Sequence, residues 1–247
     1  VSKRSFYIIN KNSANIILGR ASALYKLEIN NYWSTNAGVQ IAKDKIHYFN
    51  IIENLLGGQF YYNYNGWVID DGLVNSFQNN IQSPDQKIKE GERWGPNFEL
   101  QSMQATSWLQ LKNTRPRWEF YTGLNYGMDL FQRNGFNQNG LFINNSLGSS
   151  SISYFPSVGY KGQVLYKYSG RIYVRSIFFN QQFAPNSSAV FLDPAFHAFQ
   201  TPFLLPLLKN GIDLSFYFRG VDTKIMLSAY FQKVKNEAEK RHFYHNR

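Results

Sequence analysis

The side chains able to do chemistry are few and scattered along the chain. There is no cysteine, and the four histidines are His47, His197, His242 and His245. His242 and His245 stand three apart in "HFYH", a spacing that can hold a metal on one face of a helix but splays the rings to opposite sides of a strand. The carboxylates Glu53, Asp70, Asp71, Asp85, Glu90 and Glu92 crowd one stretch of sequence. Oxygen donors of that kind suit calcium, yet the EF-hand spacing is missing, so they read as solvated loop charge. Ser22 in "GRASALY" is no nucleophile elbow, which needs a glycine two residues to either side at a strand-to-helix turn. Gly57-Gly58 lacks the Lys and Ser/Thr of a phosphate loop. No catalytic set, metal centre or cofactor is expected, and the chain does not read as an enzyme.

Rings are the remaining binding chemistry. Aromatic residues make up 17% of the chain, with 17 Tyr and 21 Phe. Tyr61, Tyr62, Tyr64, Trp67 and Trp94 are the candidate ligand contacts, because flat faces stack on sugars, flavins or haem-like molecules. The same rings can equally pack a long loop onto itself. The net charge of +10 would suit nucleic acid if it formed a stripe. Instead Lys26, Lys112, Arg115, Arg117, Lys167, Arg171, Arg219 and Lys224 gather near turns, a rim pattern, and no nucleic-acid partner is expected.

The elements that carry these residues are strands. Residues 16–27 place Ile17, Gly19, Ala21, Ala23, Tyr25 and Leu27 on one side and Arg20, Ser22 and Lys26 on the other, the period of two that marks a two-faced strand. After a turn at Glu28 to Asn31, Trp33, Thr35, Ala37, Val39 and Ile41 alternate with Ser34, Asn36, Gly38 and Gln40. A second hairpin pairs 103–112 with 117–129 through a turn holding Asn113 to Pro116. A third pairs 157–168 with 171–180 through Ser169-Gly170, a hairpin signal because Gly can take the positive φ that tight turns favour. The fourth pairs 211–219 with 223–234 around Gly220-Val221-Asp222.

Four short turns therefore alternate with long connections of about 54, 27 and 30 residues. Connections of that length argue against a compact soluble domain and suit an outer-membrane barrel, whose short periplasmic turns alternate with long extracellular loops. Strands of about 10 to 13 residues exceed the soluble average of about 5 or 6 and match the 9 to 11 that span a bilayer. Tyr25, Trp33, Trp118 and Tyr168 lie near strand ends, where an interfacial aromatic girdle sits. The expected fold is an all-β, antiparallel up-and-down transmembrane barrel of about eight long strands as four hairpins, in one domain over 1–247. A soluble sandwich is the competing fold, but it calls for turns every 8 to 12 residues. The longest apolar run, Phe203 to Leu208, is broken by Pro206, so no membrane-spanning helix is expected.

Particular strings narrow this further. "NIILGRASALYKL" (15–27), "NIIENLLGGQFYYN" (50–63), "PDQKIKEGERWG" (84–95), "NGLFINNSLG" (139–148), "GRIYVRSIFF" (170–179) and the terminal "FYH" (243–245) together resemble, in order, the barrel of TonB-dependent outer-membrane receptors of Bacteroidetes-type bacteria. The likeness covers most of 14–180 and the tail and fades over 181–210. It implies a 22-stranded barrel around a plug domain, in the bacterial outer membrane, importing scarce nutrients with energy passed on by TonB.

Three features depart from that pattern: no plug or TonB box precedes Val1, only about eight spanning strands are present, and the last residue is Arg247 rather than an aromatic. The chain therefore reads as a slice of the second half of such a barrel, or a shortened relative. Its expected partners are outer-membrane lipid, the plug and remaining strands, and the TonB complex through the plug. Arg20, Lys161, Lys167 and Arg175 are expected to face the lumen and meet the plug. A structural barrel subunit, with a surface lipoprotein or a larger outer-membrane assembly as partner, is the alternative. A lipase-like membrane enzyme is a third reading, disfavoured by the lack of a paired nucleophile and base.

Overall fold

The computed structural model describes residues 3–65 and 75–238. Trp67, Asp70, Asp71, His242 and His245 lie outside the described residues. The described elements are β1 (Ile9–Glu28), β2 (Trp33–Asn54), β3 (Tyr61–Tyr62), β4 (Lys87–Ile88), β5 (Arg93–Thr114), β6 (Trp118–Gly135), β7 (Gly148–Ser149), β8 (Ser153–Lys167), β9 (Ile172–Phe183), the one-turn helix α1 (Ser187–Val190), β10 (Leu207–Arg219) and β11 (Lys224–Lys235).

One large antiparallel sheet dominates, in the order β1-β2-β5-β6-β8-β9-β10-β11, with β7 attached beside β6 and β3 paired with β4 apart from it. Each long strand pairs with the next long strand in the chain, a meander in which tight turns alternate with long connections. Among the described residues β1 pairs only with β2 and β11 only with β10. Among the described residues, therefore, nothing pairs with the outer edge of β1 or of β11, and these two strands are not paired with each other.

The strands run well past the expected ends on the side of the long connections. β2 and β5 have 22 residues each and β1 has 20, so the stretches between the hairpins shrink to 55–92, 136–152 and 184–206. Alternation with the apolar side outward marks only the half-exposed part of a strand; beyond it the apolar residues change sides, with Ile46, Tyr48, Phe98 and Leu100 on the polar-patterned face, so the expected pattern breaks while backbone pairing continues. The turn expected at Asn113 to Pro116 is tighter, since Asn113 and Thr114 still belong to β5 and only 115–117 reverse the chain. His47, expected outside the strands, lies within β2.

Registers settle which side chains share a face. One row runs Ala23, Val39, Ser107, Tyr126, Val158, and the next runs Leu24, Gly38, Trp108, Asn125, Gly159 on the opposite face. The apolar face is the exposed one: Val39, Leu124 and Leu214 are 53, 56 and 54% exposed. On the polar-patterned face Ala42, Ser157 and Ser215 are 6, 7 and 0% exposed. This inverts the arrangement of a soluble half-buried sheet, which covers its apolar side.

Glycines inside these strands would weaken them by leaving backbone bare. Three are roofed by the ring directly opposite: Trp108 lies over Gly38, Phe178 over Gly162 and Phe179 over Gly211, each so close that a Cβ would collide with the ring. The ring replaces the missing side chain in covering the ladder.

The buried apolar core sits at the loop end. Phe98, Leu100 and Phe131, all on the polar-patterned face, pack against Val190 and Phe191 from the last long connection. A second cluster of Ile52, Leu55 and Ile88, with Tyr61 and Trp94 against it, anchors the first.

Candidate functional site

The polar face and the connections folded over its loop end form the candidate site. Arg20, Lys161, Lys167 and Arg175 all project from that face, as the registers Arg20 opposite Ala42, Lys161 opposite Gly123 and Arg175 opposite both Leu165 and Ser215 require. They do not converge. Arg20 and Lys161 are exposed, and Lys167 is ion-paired to Glu119 across the β6–β8 ladder.

Arg175 is the most embedded of the four. Its Nη2 donates to Ser215 Oγ at 3.4 Å and its guanidinium lies over the Tyr217 ring, 5.3 Å from the centroid. Ser215 Oγ in turn donates to Asp213 Oδ1 at 2.7 Å and accepts from Ser228 Oγ at 3.1 Å. The result is a polar ladder across β9, β10 and β11. A similar rung joins Gln104 Nε2 to Asp129 Oδ1 at 2.9 Å on β5 and β6.

The loop rings separate into two groups instead of forming one cradle. Tyr61 meets Trp94 edge-on at 5.8 Å, both against the Ile52 cluster. Tyr62 stacks on Tyr64 at 5.0 Å, Phe77 closes on Tyr64 at 4.9 Å, and the Arg4 guanidinium lies 5.0 Å from the Tyr62 centroid. These rings are already faced by protein, the self-packing that a long connection needs to bury anything at all.

The carboxylates of the same connection hold its backbone. Leu55 N–H donates to Glu90 Oε1 at 2.8 Å, and Lys89 N–H to Glu92 Oε2 at 2.8 Å. Asp85 Oδ1 accepts from Tyr64 Oη at 2.6 Å and Gln78 Nε2 at 2.7 Å, which holds its carboxyl below the usual range. Burial, and then that bond to Asp85, pushes the Tyr64 phenol up to about 12. Among the described residues no three His, Asp or Glu side chains group as metal ligands.

Arg133 is the feature that pattern reading misses. It is 2% exposed, its Nε donates to Pro194 O at 2.7 Å and its Nη1 to Ser146 O at 2.7 Å. One guanidinium thus ties β6 to both later connections. Its partners are formed locally: Asp193-Pro194 starts a turn in which Asp193 Oδ1 accepts from Ala195 N–H at 3.2 Å and the Asp193 carbonyl from His197 N–H at 3.1 Å, the usual work of Asp before Pro. The signal in the sequence was parity, because Arg133 continues the run of Asp129 and Phe131 four residues past the expected strand end.

His197 closes the latch between Phe142, at 4.5 Å, and Phe199, at 4.7 Å. Phe199 N–H donates to its Nδ1 at 3.2 Å, so that nitrogen carries a lone pair and the ring is neutral. Burial lowers its pKa, Arg133 adds to the lowering, and Asp193 partly opposes it. At the packed neck Gly135 leaves no room for a Cβ beside the Ser146 carbonyl.

Compared with models of known protein families and with curated proteins, the chain matches none.

Proposed function

We propose that this chain is part of the wall of a TonB-dependent outer-membrane receptor, a barrel that takes up nutrients. The observation that carries the reading is the inverted sheet: a continuous apolar face stays uncovered across eight long antiparallel strands while the polar face is the crowded one. In water such a face has nothing to bury it. In a bilayer it meets acyl chains, and the backbone is satisfied strand to strand. The ordered strings of 14–180 favour the TonB-dependent receptors among barrels.

The open edges at β1 and β11 fit a larger barrel, since an unpaired edge in hydrocarbon leaves a row of N–H and C=O groups at several kcal/mol each. Arg20, Lys161 and Arg175 then line the lumen, where a plug surface and water meet their charges. The connections at 136–152 and 184–206, latched by Arg133, stand over the lumen's outer end and narrow it. In this reading the wall moves no covalent bonds; it holds loops and plug in register while cargo passes.

This chain has no cysteine, so once any cysteine elsewhere in the receptor is replaced the test reads single positions. Single cysteines at Leu124 and Asn125 in the full receptor, in intact cells, should react with a lipid-soluble and with a water-soluble maleimide respectively. Labelling of both by the water-soluble reagent alone would rule out a membrane wall. Uptake is then tested by cross-linking to TonB and by cargo accumulation with and without a proton gradient. Gradient-independent behaviour would remove the receptor assignment.

A second reading, a structural wall subunit of a larger outer-membrane assembly, draws on the same two open edges. Disulfide trapping between a cysteine on β1 and one on another polypeptide would favour it, whereas trapping within one polypeptide favours the receptor.

A further inference from the structure

Toward the tight turns of β8 to β11 the polar-patterned face becomes basic and hollow. A concavity of about 500 Å³ opens there. Apart from Phe218 and Ile225, whose side chains turn to the opposite face by parity, its lining belongs to the polar-patterned face. The registers lay it out in neighbouring rows. Tyr173, Tyr217 and Met226 form the middle row, with Tyr217 directly opposite both of the others. On the turn side Arg219 stands directly opposite Lys224. On the other side Leu165, Arg175 and Ser215 are in line. Ser215 and Arg219 lie two residues to either side of Tyr217, about 7 Å each at the usual rise. Arg175 leans toward the turns, its guanidinium 5.3 Å from the Tyr217 centroid, so its head group reaches the middle row.

Two features of this patch are unfavourable for the protein alone. Like charges directly opposite each other on neighbouring strands destabilise a sheet, yet Arg219 and Lys224 have no ion-pair partner among the described residues. Arg171, whose carbonyl accepts from Arg219 N–H at 2.8 Å, adds a third cation to that row. The acids nearby are engaged elsewhere, Glu119 with Lys167 and Asp213 with Ser215, and Asp222 in the turn pairs with none of the three cations. The second feature is Arg175. It is half-buried, but of an arginine's five donors it uses one, in the 3.4 Å bond to Ser215, and its Nε has no partner. Buried donors are rarely left so.

We infer that this hollow binds a flat aromatic dianion, one acid group between Arg219 and Lys224, its rings against Tyr217 and Met226, and the second acid group at Arg175. Both cationic groups border the same middle row, so one molecule reaches both. A bare inorganic anion would make no use of that row, and a neutral ring would leave the opposed cations as they are. The planar fork of Arg175 suits a carboxylate, which accepts two parallel N–H bonds from it. The site lies on the polar-patterned face whether that face meets a lumen or bulk water, so it does not rest on the membrane-wall reading.

The test uses the full-length protein in dodecylmaltoside, with strand content followed by circular dichroism. Naphthalene-2,6-dicarboxylate, itself fluorescent, is titrated beside naphthalene-2-carboxylate, with inorganic phosphate as competitor. The dicarboxylate should bind about tenfold or more tighter than the monocarboxylate, the loss expected when a charged hydrogen-bonded contact is missing, and phosphate should displace it poorly. Arg175→Lys, which keeps the charge but not the fork, should reduce the dicarboxylate to about the monocarboxylate's affinity. Arg219→Gln with Lys224→Gln should weaken both acids by about tenfold or more. Lys224→Gln alone, on the exposed edge strand, carries the same test with a smaller loss should the double variant lose strand content. Absence of saturable binding, equal affinity for the two acids, or folded variants that bind like the wild type would overturn the site. None of these results bears on the labelling of Leu124 and Asn125, so the site and the membrane wall fail separately.

Discussion

The two faces of one sheet obey opposite rules. On one face Val39, Leu124 and Leu214 stand uncovered, while on the other Ser157 and Ser215 are buried, although neighbours such as Leu124 and Asn125 are separated by a single peptide bond. What each face tolerates is therefore set by its surroundings and not by its place in the chain. Where the long connections fold over the polar face, a third regime appears: Phe98, Leu100 and Phe131 make an ordinary soluble-type core there with Val190 and Phe191.

The sharpest way to break the contrast is a matched pair of substitutions. On the proposed membrane-wall reading, Leu124→Arg should cost about 2 to 4 kcal/mol near the bilayer midplane and block assembly into the outer membrane, whereas Asn125→Arg should assemble like the wild type. Folded yield in outer-membrane fractions reads the difference, and equal yields would end the two-solvent account.

Next in size is the latch. Arg133→Ala strips donors from the carbonyls of Pro194 and Ser146, at about 1 to 3 kcal/mol for each buried acceptor left unmet. The loss should be local: hydrogen exchange should rise across 184–206 and 146–150 while β8 to β11 stay protected. A uniform rise would show that the cap and the wall form a single cooperative unit.

A pH dependence separates the same regions more gently. His197 has a folded pKa below its ordinary value, chiefly through burial, so the folded cap needs the neutral ring. Above about pH 6.5 the ring is neutral folded or unfolded and the stabilisation is complete. As pH falls through that value toward the depressed folded pKa, the opened segment takes a proton that the closed one refuses, and stability drains away. Protease nicking within 184–206 should therefore increase between about pH 7.5 and 5.5, and His197→Gln should flatten that trend. The smallest effect belongs to the polar face itself: Glu119→Gln removes the partly exposed pair with Lys167 and should change stability by less than about 1 kcal/mol, measured by denaturation in detergent.

The eight long strands and their tight turns were legible because alternation such as Trp118, Phe120, Thr122, Leu124 survives wherever the two faces meet different surroundings. The loop ends were not. β2 and β5 continue to Asn54 and back to Arg93, where Lys45, His47, Glu99 and Gln101 take the outward side and Ile46, Tyr48, Phe98 and Leu100 the covered one, so the period is inverted relative to the apolar band and does not read as its continuation. The loop rings were recognisable as a group, but their division between the Ile52 cluster and the Arg4 side was not, since ring type says nothing about which partner is nearest.

The sequence by itself determined the local matters: strand period, turn positions, and which side chains of each strand travel together, because these depend on residues two apart or within one turn. Only the tertiary structure decided that the apolar side is the uncovered one, that β1 and β11 are not paired with each other, and that Arg133 reaches both Ser146 and Pro194. Those contacts join residues far apart in the chain, 61 positions in the case of Arg133 and Pro194. Such pairs are selected by how the whole sheet and its connections pack, a choice that neither partner's own neighbours encode.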